Sequence, residues 1–536
     1  MVVPAFCSIF FATYDWVSDS KKEHSTSSNY HIFPTITILI LSLIVGKYIE
    51  YRWKNRRFFK LAAKFNGPDP LPFIGNAHMF SGTSEVVFKQ ILYHFYNYND
   101  KGPSRFWLGN QLYVVITKPQ HMKAVLTNSN ALQKSYVYSF INTWLGTGLF
   151  SAPVTIWKHH RKIIMPSFNQ KILDTFISIF QERSNVLAKK LECETGYFDI
   201  FPYVSRCTLD SICESALGIT VNSLEDSNEK YVECATRVLD IVNTRMLKVW
   251  LHPDFIFKRT KLYRELQFHI QYLHNFTDSI IKQKRAEFKE IQESNKFSPT
   301  DQNNDEPIFK RKAFIQLLME TSDFTDEEIR NEVDTMTVAG NDTTATVNSF
   351  TLLLLAMYPD IQEKLYNEVY SIVGDSDKTI ELEDLPKLKY TEMVIKESMR
   401  LFPIGPILGR DALEDIQLDE NYTIPKGSGI ALGIYYTHRD PEYWTEPDVF
   451  DPERFQPEEL KSRDPYSYLP FSGGPRNCLG IKYAYMAMKI LIATVIRHYK
   501  LSTDLNLDDL ILKTELTLKL SNAFLLRIQK RQTMSQ

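Results

Sequence analysis

Cysteine is scarce in this chain, with six residues (Cys7, Cys193, Cys207, Cys213, Cys234 and Cys478) in 536. None forms a C-x-x-C pair or a C-x-x-C-H run, which argues against a disulfide framework. Net charge is nearly absent, at −2 from 62 basic and 64 acidic residues. No global field therefore draws the chain to nucleic acid. The chain has no glycine-rich dinucleotide or flavin motif, so any redox chemistry it runs takes electrons from a partner. No internal repeat is present. What remains is ordinary globular composition, 44% apolar and 24% charged, with 34 Phe and 28 Tyr. Such aromatic content implies a large apolar interior or pocket.

One hydrophobic run stands out. Residues 32–46, IFPTITILILSLIVG, carry no charge, and extension to Tyr30 and Ile49 makes the segment just long enough to span a bilayer. Lys47, Arg52, Lys54, Arg56, Arg57 and Lys60 follow, which by the positive-inside rule keeps that side in the cytosol. The expectation is a transmembrane anchor over 32–46 and a basic, Pro-rich linker over 47–76 that includes Gly67-Pro-Asp-Pro-Leu-Pro. One large domain follows over 77–536. Residues 1–31 are compatible with a lumenal tail, a second interfacial segment or a wrongly chosen start. Within the domain, Phe106–Trp107 and Leu112–Thr117 predict a hairpin, and 119–400 carries a helical apolar period. The polar stretch Glu293–Asp305 predicts a surface loop. Gly427–Tyr436, Leu516–Leu520 and Ala523–Ile528 predict strands, the last two as a pair. The fold class is mainly α with small β-sheets, a single large domain behind an N-terminal transmembrane helix.

Three stretches carry chemistry. In Phe471-Ser-Gly-Gly-Pro-Arg-Asn-Cys478-Leu-Gly480, Gly473, Gly474 and Gly480 permit tight turning and Pro475 stiffens the loop. The following run, LGIKYAYMAMKILIATVIRHY, has a helical period, so the sulfur sits at a helix N-terminus, which favours a metal-ligating thiolate. In Ala339-Gly340-Asn341-Asp342-Thr343-Thr344 a small-residue pair precedes an acid–alcohol pair suited to proton delivery. In Lys396-Glu397-Ser-Met-Arg400 the acid and the arginine share a helix face, an arrangement that alone is usually a solvated surface pair.

Together these stretches resemble the cytochrome P450 family. The cysteine loop matches F-x-x-G-x-R-x-C-x-G at every fixed position, and residues 339–344 match [AG]-G-x-[DE]-T-[ST]. Trp157 and Arg161 match W-x-x-x-R, and Arg454 in Asp-Pro-Glu-Arg-Phe resembles the third member of the family's Glu/Arg network. The resemblance covers nearly the whole chain after about residue 66. It is closest to the microsomal family 4 type, whose E-V-D-T run recurs at 332–335.

The resemblance implies the cytochrome P450 fold and haem b on Cys478, with Phe471 covering the sulfur's side of the ring. It implies that Gly474 and Gly480 shape the loop, and that Trp157, Arg161, Arg410 and Arg476 reach the propionates. Ala339 and Gly340 would let the haem lie against their helix, Asp342 and Thr343 would deliver protons, and Glu397, Arg400 and Arg454 would lock the core. Many family 4 members carry a glutamate, which can form an ester to the haem, where this chain has Ala339; here the haem is expected to be non-covalent apart from the sulfur–iron bond. The implied reaction inserts one oxygen atom of dioxygen into a C–H bond of an apolar, fatty-acid-like substrate. Electrons would come from NADPH through NADPH-cytochrome P450 reductase, sometimes with cytochrome b5. Lys158, Lys162, Lys482 and Lys489 would form the docking face, with His159 and His160 as polar neighbours and His438 as a structural residue. The implied location is the endoplasmic reticulum membrane, facing the cytosol. Phe140, Thr335–Ala339, Ile404–Leu408 and Ser521–Asn522 are candidate pocket residues. Two other readings, a reductase-independent hydroperoxide isomerase or lyase and a non-catalytic haem protein that sequesters ligands, are disfavoured by Asp342, Thr343 and Cys478.

Overall fold

The computed structural model describes residues 32–99, 102–225, 230–296, 314–320, 324–374 and 378–531. Its contacts divide the chain into two units, Met1–Lys60 and Leu61–Gln536. In the first unit the apolar run folds as helix α1 (Ile32–Lys54), which continues through Gly46 into charged residues. Pairs of Glu50 with Lys47 and Lys54, at helical spacing, support that continuation. Among the described residues no helix is long and apolar enough to cross a membrane. The expected anchor over 32–46 is thus not found as a span. Its side chains at 32–34, 41 and 44 lie outside the described residues, and charge begins at Lys47. Residues 1–31 also lie outside them.

The second unit is built on α2 (Ser84–Tyr98), α3 (Val154–Ile164), α4 (Ile177–Leu191), α5 (Phe201–Ile212), α6 (Lys230–Leu247), α7 (Lys261–Lys296), α8 (Asp326–Met357), α9 (Pro359–Val373), α10 (Lys389–Leu401) and α11 (Ile481–His498). Helix α8 is the axis. Thr325 and Glu328 close a capping box at its start, and Asp326, Glu327 and Glu328 complement its positive end. Helices α5, α7, α10 and α11 pack around it, so most of its length is buried. Its polar residues must then be satisfied within the protein. The hydroxyls of Thr337, Thr346, Ser349 and Thr351 meet that need by donating to carbonyls one turn back.

The strands are β1 (Ser104–Leu108), β2 (Gln111–Ile116), β3 (Phe198–Asp199), β4 (Leu408–Asp411), β5 (Ile416–Gln417), β6 (Thr423–Ile424), β7 (Gly429–Leu432), β8 (Tyr499–Ser502), β9 (Leu512–Glu515), β10 (Thr517–Leu520) and β11 (Leu525–Lys530). The largest sheet has the order β1-β2-β7-β4, with β2 and β7 parallel and the other pairs antiparallel. Tyr113 lies opposite Gly429, where a Cβ would press on the tyrosine ring at 2.5 Å. The Pro-rich segment lies along β1: Asn66 bridges to Ser104, and the Asn76 side chain accepts from the Trp107 N–H at 2.9 Å.

The architecture is mainly α with small β-sheets, but three local expectations need correction. The strand predicted to Tyr436 ends at Leu432, and Ile434–Thr437 is a helical turn whose last N–H bonds to the Gly433 carbonyl. The two C-terminal strands do not pair with each other. Strand β10 turns back onto β9 at Leu516, whose φ is 72°, and the hairpin is closed where the Ser521 N–H donates to the Ile511 carbonyl and the Ile511 N–H donates to Asn522 Oδ1. Strand β11 instead pairs with β3 and β8. Helix α7 also runs to Lys296, into the predicted loop, whose remainder, 297–305, lies outside the described residues.

Candidate functional site

The cysteine loop is held by close backbone packing. Gly474 has φ 69°, and a Cβ there would collide with the Leu126 carbonyl, so no other residue fits. The Cys478 N–H donates to the Phe471 carbonyl at 3.0 Å and the Asn477 N–H to the Gly474 carbonyl at 3.2 Å. Phe471 packs on Tyr485, with ring centres 5.4 Å apart. The sulfur precedes the helix rather than lying in its first turn, because α11 begins at Ile481 with Gly480 as its cap. Crowding does not demand glycine at 480, where a Cβ would meet Phe168 at 3.9 Å. What Gly480 supplies is its N–H, directed to the sulfur. Cys478 is accessible yet deep in the protein, so it faces an interior space. Burial pushes its thiol pKa up, while the Gly480 N–H, Arg161 and Lys134 pull it down.

Four cations surround this loop. Arg161 clamps it, donating to the Asn477 carbonyl at 2.8 Å and to Asn477 Oδ1 at 2.7 Å. Arg476 donates to the carbonyls of Leu132 and Ala152 at 2.7 and 2.5 Å, its guanidinium 5.0 Å from the Trp157 ring, while its Nε has no partner. Arg410 is buried on β4 and reaches the Gly409 carbonyl at 3.3 Å. The fourth, Lys134, arrives because residues 133–135 run along β4; its ammonium lies 3.5 Å from the Phe150 ring centre. Burial, then Arg410 and Arg476, push the Lys134 pKa well below its ordinary value. Burial likewise lowers Arg410, and burial with Arg410 and Arg161 lowers Arg476. Among the described residues none of the four has a carboxylate partner. Buried cations left this way need an anion. The propionates of a haem, with its iron on the thiol, fit this donor set. Lys134 carried no sequence signal, being a lone lysine in a loop.

Helix α8 presents Ala339 and Thr343 on its accessible interior side, one turn apart, and the Thr343 hydroxyl donates to the Ala339 carbonyl at 2.6 Å. Gly340 does not share that side. A Cβ at Gly340 would meet Ile212 at 2.6 Å, so its smallness serves packing against α5. Asp342 also points away from Thr343, toward β9–β10, where Lys519 and Thr517 bind it at 2.6 and 2.8 Å. The acidic residues of the E-V-D-T run are tethers. Glu332 accepts from the Leu149 N–H at 3.1 Å and pairs with His160 at 2.7 Å, so His160 is buried against α8 rather than lying on the surface. Asp334 accepts from the Thr277 hydroxyl of α7, and burial raises its pKa well above the usual carboxyl range.

The Glu397 group is closed. Arg400 donates through Nε and Nη2 to both carboxylate oxygens of Glu397 at 2.7 Å, and both residues are 0% exposed. The Asp451 N–H donates to Glu397 at 3.0 Å and Arg454 Nε lies 3.4 Å away. Arg400 also donates to the carbonyls of His438, Pro447 and Val449, and His438 accepts from the Leu469 N–H just before the cysteine loop. Lys158, Lys162 and Lys482 are exposed. Lys489 is not part of any exposed face: it is buried and bonds Glu392 at 2.6 Å and the Leu385 carbonyl at 3.0 Å.

An apolar cavity of about 180 Å³ lies between the first sheet, α2, α6 and the β9–β10 hairpin. Of the pocket candidates named from sequence, Pro406 and Ile407 line it. Phe140 packs against His252 and Arg245, Ser521 bonds Glu85, and Asn522 bonds the Asp509 carbonyl. Phe106, Tyr113, Tyr138, Met246 and Leu516 are further lining residues, brought together by strand pairing that a linear reading does not give.

A thiol amid cations without carboxylate partners, in a fold whose long central helix leaves a threonine accessible, fits a haem-thiolate protein. The chain belongs to the cytochrome P450 family, whose model matches residues 65–527. It is 35% identical to cytochrome P450 4c3 of Drosophila melanogaster, over 93% of this chain and 95% of that protein. It is 34% identical to human cytochrome P450 4V2, over 92% and 94%, and 34% identical to cytochrome P450 4c21 of Blattella germanica, over 90% and 96%. It is a family 4 cytochrome P450 monooxygenase with a haem-thiolate cofactor.

Proposed function

We propose that this enzyme oxidises a C–H bond of an apolar, lipid-like molecule, with electrons delivered from NADPH by a reductase docked at Lys158, Lys162 and Lys482. Bound haem supplies dioxygen activation at a thiolate-ligated iron. Cys478 provides the sulfur, and Lys134, Arg410, Arg476 and Arg161 hold the propionates. Phe471 covers the sulfur side. Thr343 offers the hydroxyl that hands on a proton, and Asp342 resupplies it. The 180 Å³ cavity, walled by Phe106, Tyr113, Tyr138, Met246, Ile407 and Leu516, excludes water and accepts an apolar chain. The exposed Ile36, Ile38, Leu39, Ile40 and Leu43 of α1, followed by basic residues, support attachment to the cytosolic face of the endoplasmic reticulum membrane.

The observation that carries this reading is an accessible thiol, deep in the protein, beside four cations that lack carboxylate partners among the described residues. Reduced enzyme under carbon monoxide should give the absorption band for which the family is named, and Cys478→Ala should lose it. An unchanged band in that variant would refute the assignment. Mass spectrometry of products from a lipid panel, with reductase and NADPH, should find hydroxylated chains.

A further inference from the structure

The apolar cavity has a polar corner, built by the sheet register. Tyr113 on β2, Gly429 on β7 and Asp411 on β4 lie side by side in one cross-strand row, and residues of such a row share a face of the sheet. Gly429 leaves the middle place empty, and the Tyr113 ring fills it: a Cβ there would press on the ring at 2.5 Å. The ring thus leans toward Asp411. Ser135 joins from the segment along β4, its N–H donating to the Gly409 carbonyl at 3.4 Å. Its hydroxyl lies 3.2 Å from that of Tyr113. Tyr113 and Ser135 are buried, and both line the cavity. Successive residues of an extended chain point to opposite faces. Lys134, bridged to Arg410, therefore belongs with the cysteine loop, while Ser135 and Asp411 belong to the other face.

The hydrogen bonds of this corner run one way. Burial pushes the Asp411 pKa up to about 6, against hydrogen bonds from the Ser135 hydroxyl and the Tyr136 N–H. At neutral pH the carboxyl is mostly ionised and only accepts. With its hydrogen given to Asp411, Ser135 accepts from Tyr113. The Tyr136 hydroxyl donates to His252 Nδ1 at 2.8 Å, because His252 gives its Nε2 hydrogen to the Met246 carbonyl at 3.1 Å. Burial pushes the Tyr113 pKa up and keeps it a phenol. What Tyr113 leaves to the cavity is a lone pair on its oxygen. Among the described lining residues the one guanidinium is Arg105, which donates to the Phe65 carbonyl at 3.0 Å and has Asp69 as its charged neighbour.

We propose that the corner of Tyr113 and Ser135, backed by Asp411, selects lipids whose polar end is an alcohol and discriminates against free carboxylates. This rests on the reading of the cavity as the place of the substrate chain. A hydroxyl gives its hydrogen to the Tyr113 oxygen, whereas an ester has no hydrogen to give. A carboxylate only accepts, and it meets the field of Asp411 in a lining with no cation turned toward the corner. Burying a charge without a partner is costly. Asp411 is a positioning residue, acting through the direction it imposes on Ser135 and Tyr113.

The test uses haem-loaded, full-length protein with 1-dodecanol, methyl dodecanoate and dodecanoate. Affinity is read from the shift of the haem absorption on titration, and products by mass spectrometry with reductase and NADPH. Wild type should bind dodecanol roughly tenfold more tightly than either of the others, the scale of one buried hydrogen bond. Tyr113→Phe should bring the alcohol-to-ester ratio close to one. Asp411→Asn keeps an acceptor for Ser135 without the charge, and should narrow the alcohol-to-carboxylate ratio while leaving the alcohol-to-ester ratio in place. Ratios decide, because a merely structural role would move all the ligands together. If none of the compounds shifts the haem spectrum and none is hydroxylated, the lipid reading of the cavity fails and the inference with it. If they bind equally and are hydroxylated, or if dodecanoate binds best, that reading stands and the corner is refuted. An alcohol-to-ester ratio unchanged in Tyr113→Phe refutes it too. Should Tyr113→Phe not retain haem, Asp411→Asn carries the test: a narrowed alcohol-to-carboxylate ratio supports the corner, and an unchanged one overturns it.

Discussion

Ala339 occupies the accessible side of α8, one turn from Thr343. A glutamate at that position would offer a carboxyl for an ester to the haem, whereas a methyl group offers no bonding atom. The chain should therefore release all its haem into acidified organic solvent, and the intact-mass spectrum of the extracted protein should show the bare polypeptide. A polypeptide still carrying the mass of a porphyrin would contradict this. Residue chemistry was largely legible in sequence where one side chain has a single role. Cys478, Arg476 and Gly474 stand together in a run whose spacing constrains each of them. Gly340 and Gly480 show the limit of that reading. Both are small residues in a matched motif, yet one serves contact with Ile212 and the other supplies an N–H. A sequence shows that a residue is small but not which neighbour approaches it.

At the scale of elements, α8 is joined to α3 by His160–Glu332 and to α7 by Thr277–Asp334. Asp334 is 0% exposed, and its Oδ2 has no hydrogen-bond partner. His274 lies 3.7 Å away but gives its Nε2 hydrogen to the Trp144 carbonyl at 2.8 Å. Burial dominates the raised pKa of Asp334, against the opposing effects of Thr277 and Arg330, with Asp278 adding to the rise. The carboxyl thus binds its proton more tightly in the folded protein than in the unfolded chain. Stability from Asp334 is fully present below the ordinary carboxyl pKa and is lost as pH rises toward the raised one, by up to about 1.4 kcal/mol per pH unit. Asp334→Asn keeps an acceptor for Thr277 without a titrating group. Compared with wild type in urea unfolding, the variant should gain relative stability as pH rises above the ordinary carboxyl range. Parallel pH profiles for the two proteins would show that Asp334 is ionised in the fold. The E-V-D-T run was visible in sequence as a family resemblance, but its tethering role was not, because the partners Thr277, Leu149 and His160 lie on elements that only the packed structure brings to α8.

For the whole molecule, helical periodicity and the motif order were enough to give the mainly helical class and the location of the cysteine core. Strand partnership was not legible, because β9, β10 and β11 are alike in pattern and only the turn at Leu516 decides which pair forms. The proposed electron-donor face shows the same division. Four lysines expected to flank the cysteine side of the haem suggested it, and packing removes Lys489, which is buried against Glu392 on α10. The three exposed lysines lie on two elements tied to the sulfur. Lys158 and Lys162 flank Arg161, which bonds Asn477, and Lys482 is on the first turn of α11, four residues after Cys478. Charges in this place raise the encounter rate with an acidic donor, and the effect fades as salt shortens the range of the field to about 8 Å near 0.15 M. Replacing all three by glutamate should slow reductase-driven haem reduction by roughly tenfold at low ionic strength and by much less at high salt, since steering acts on association. The carbon monoxide band should remain, because none of the three reaches the interior. Stopped-flow reduction across a salt series tests this, and a rate insensitive to both charge and salt would place the donor on another face.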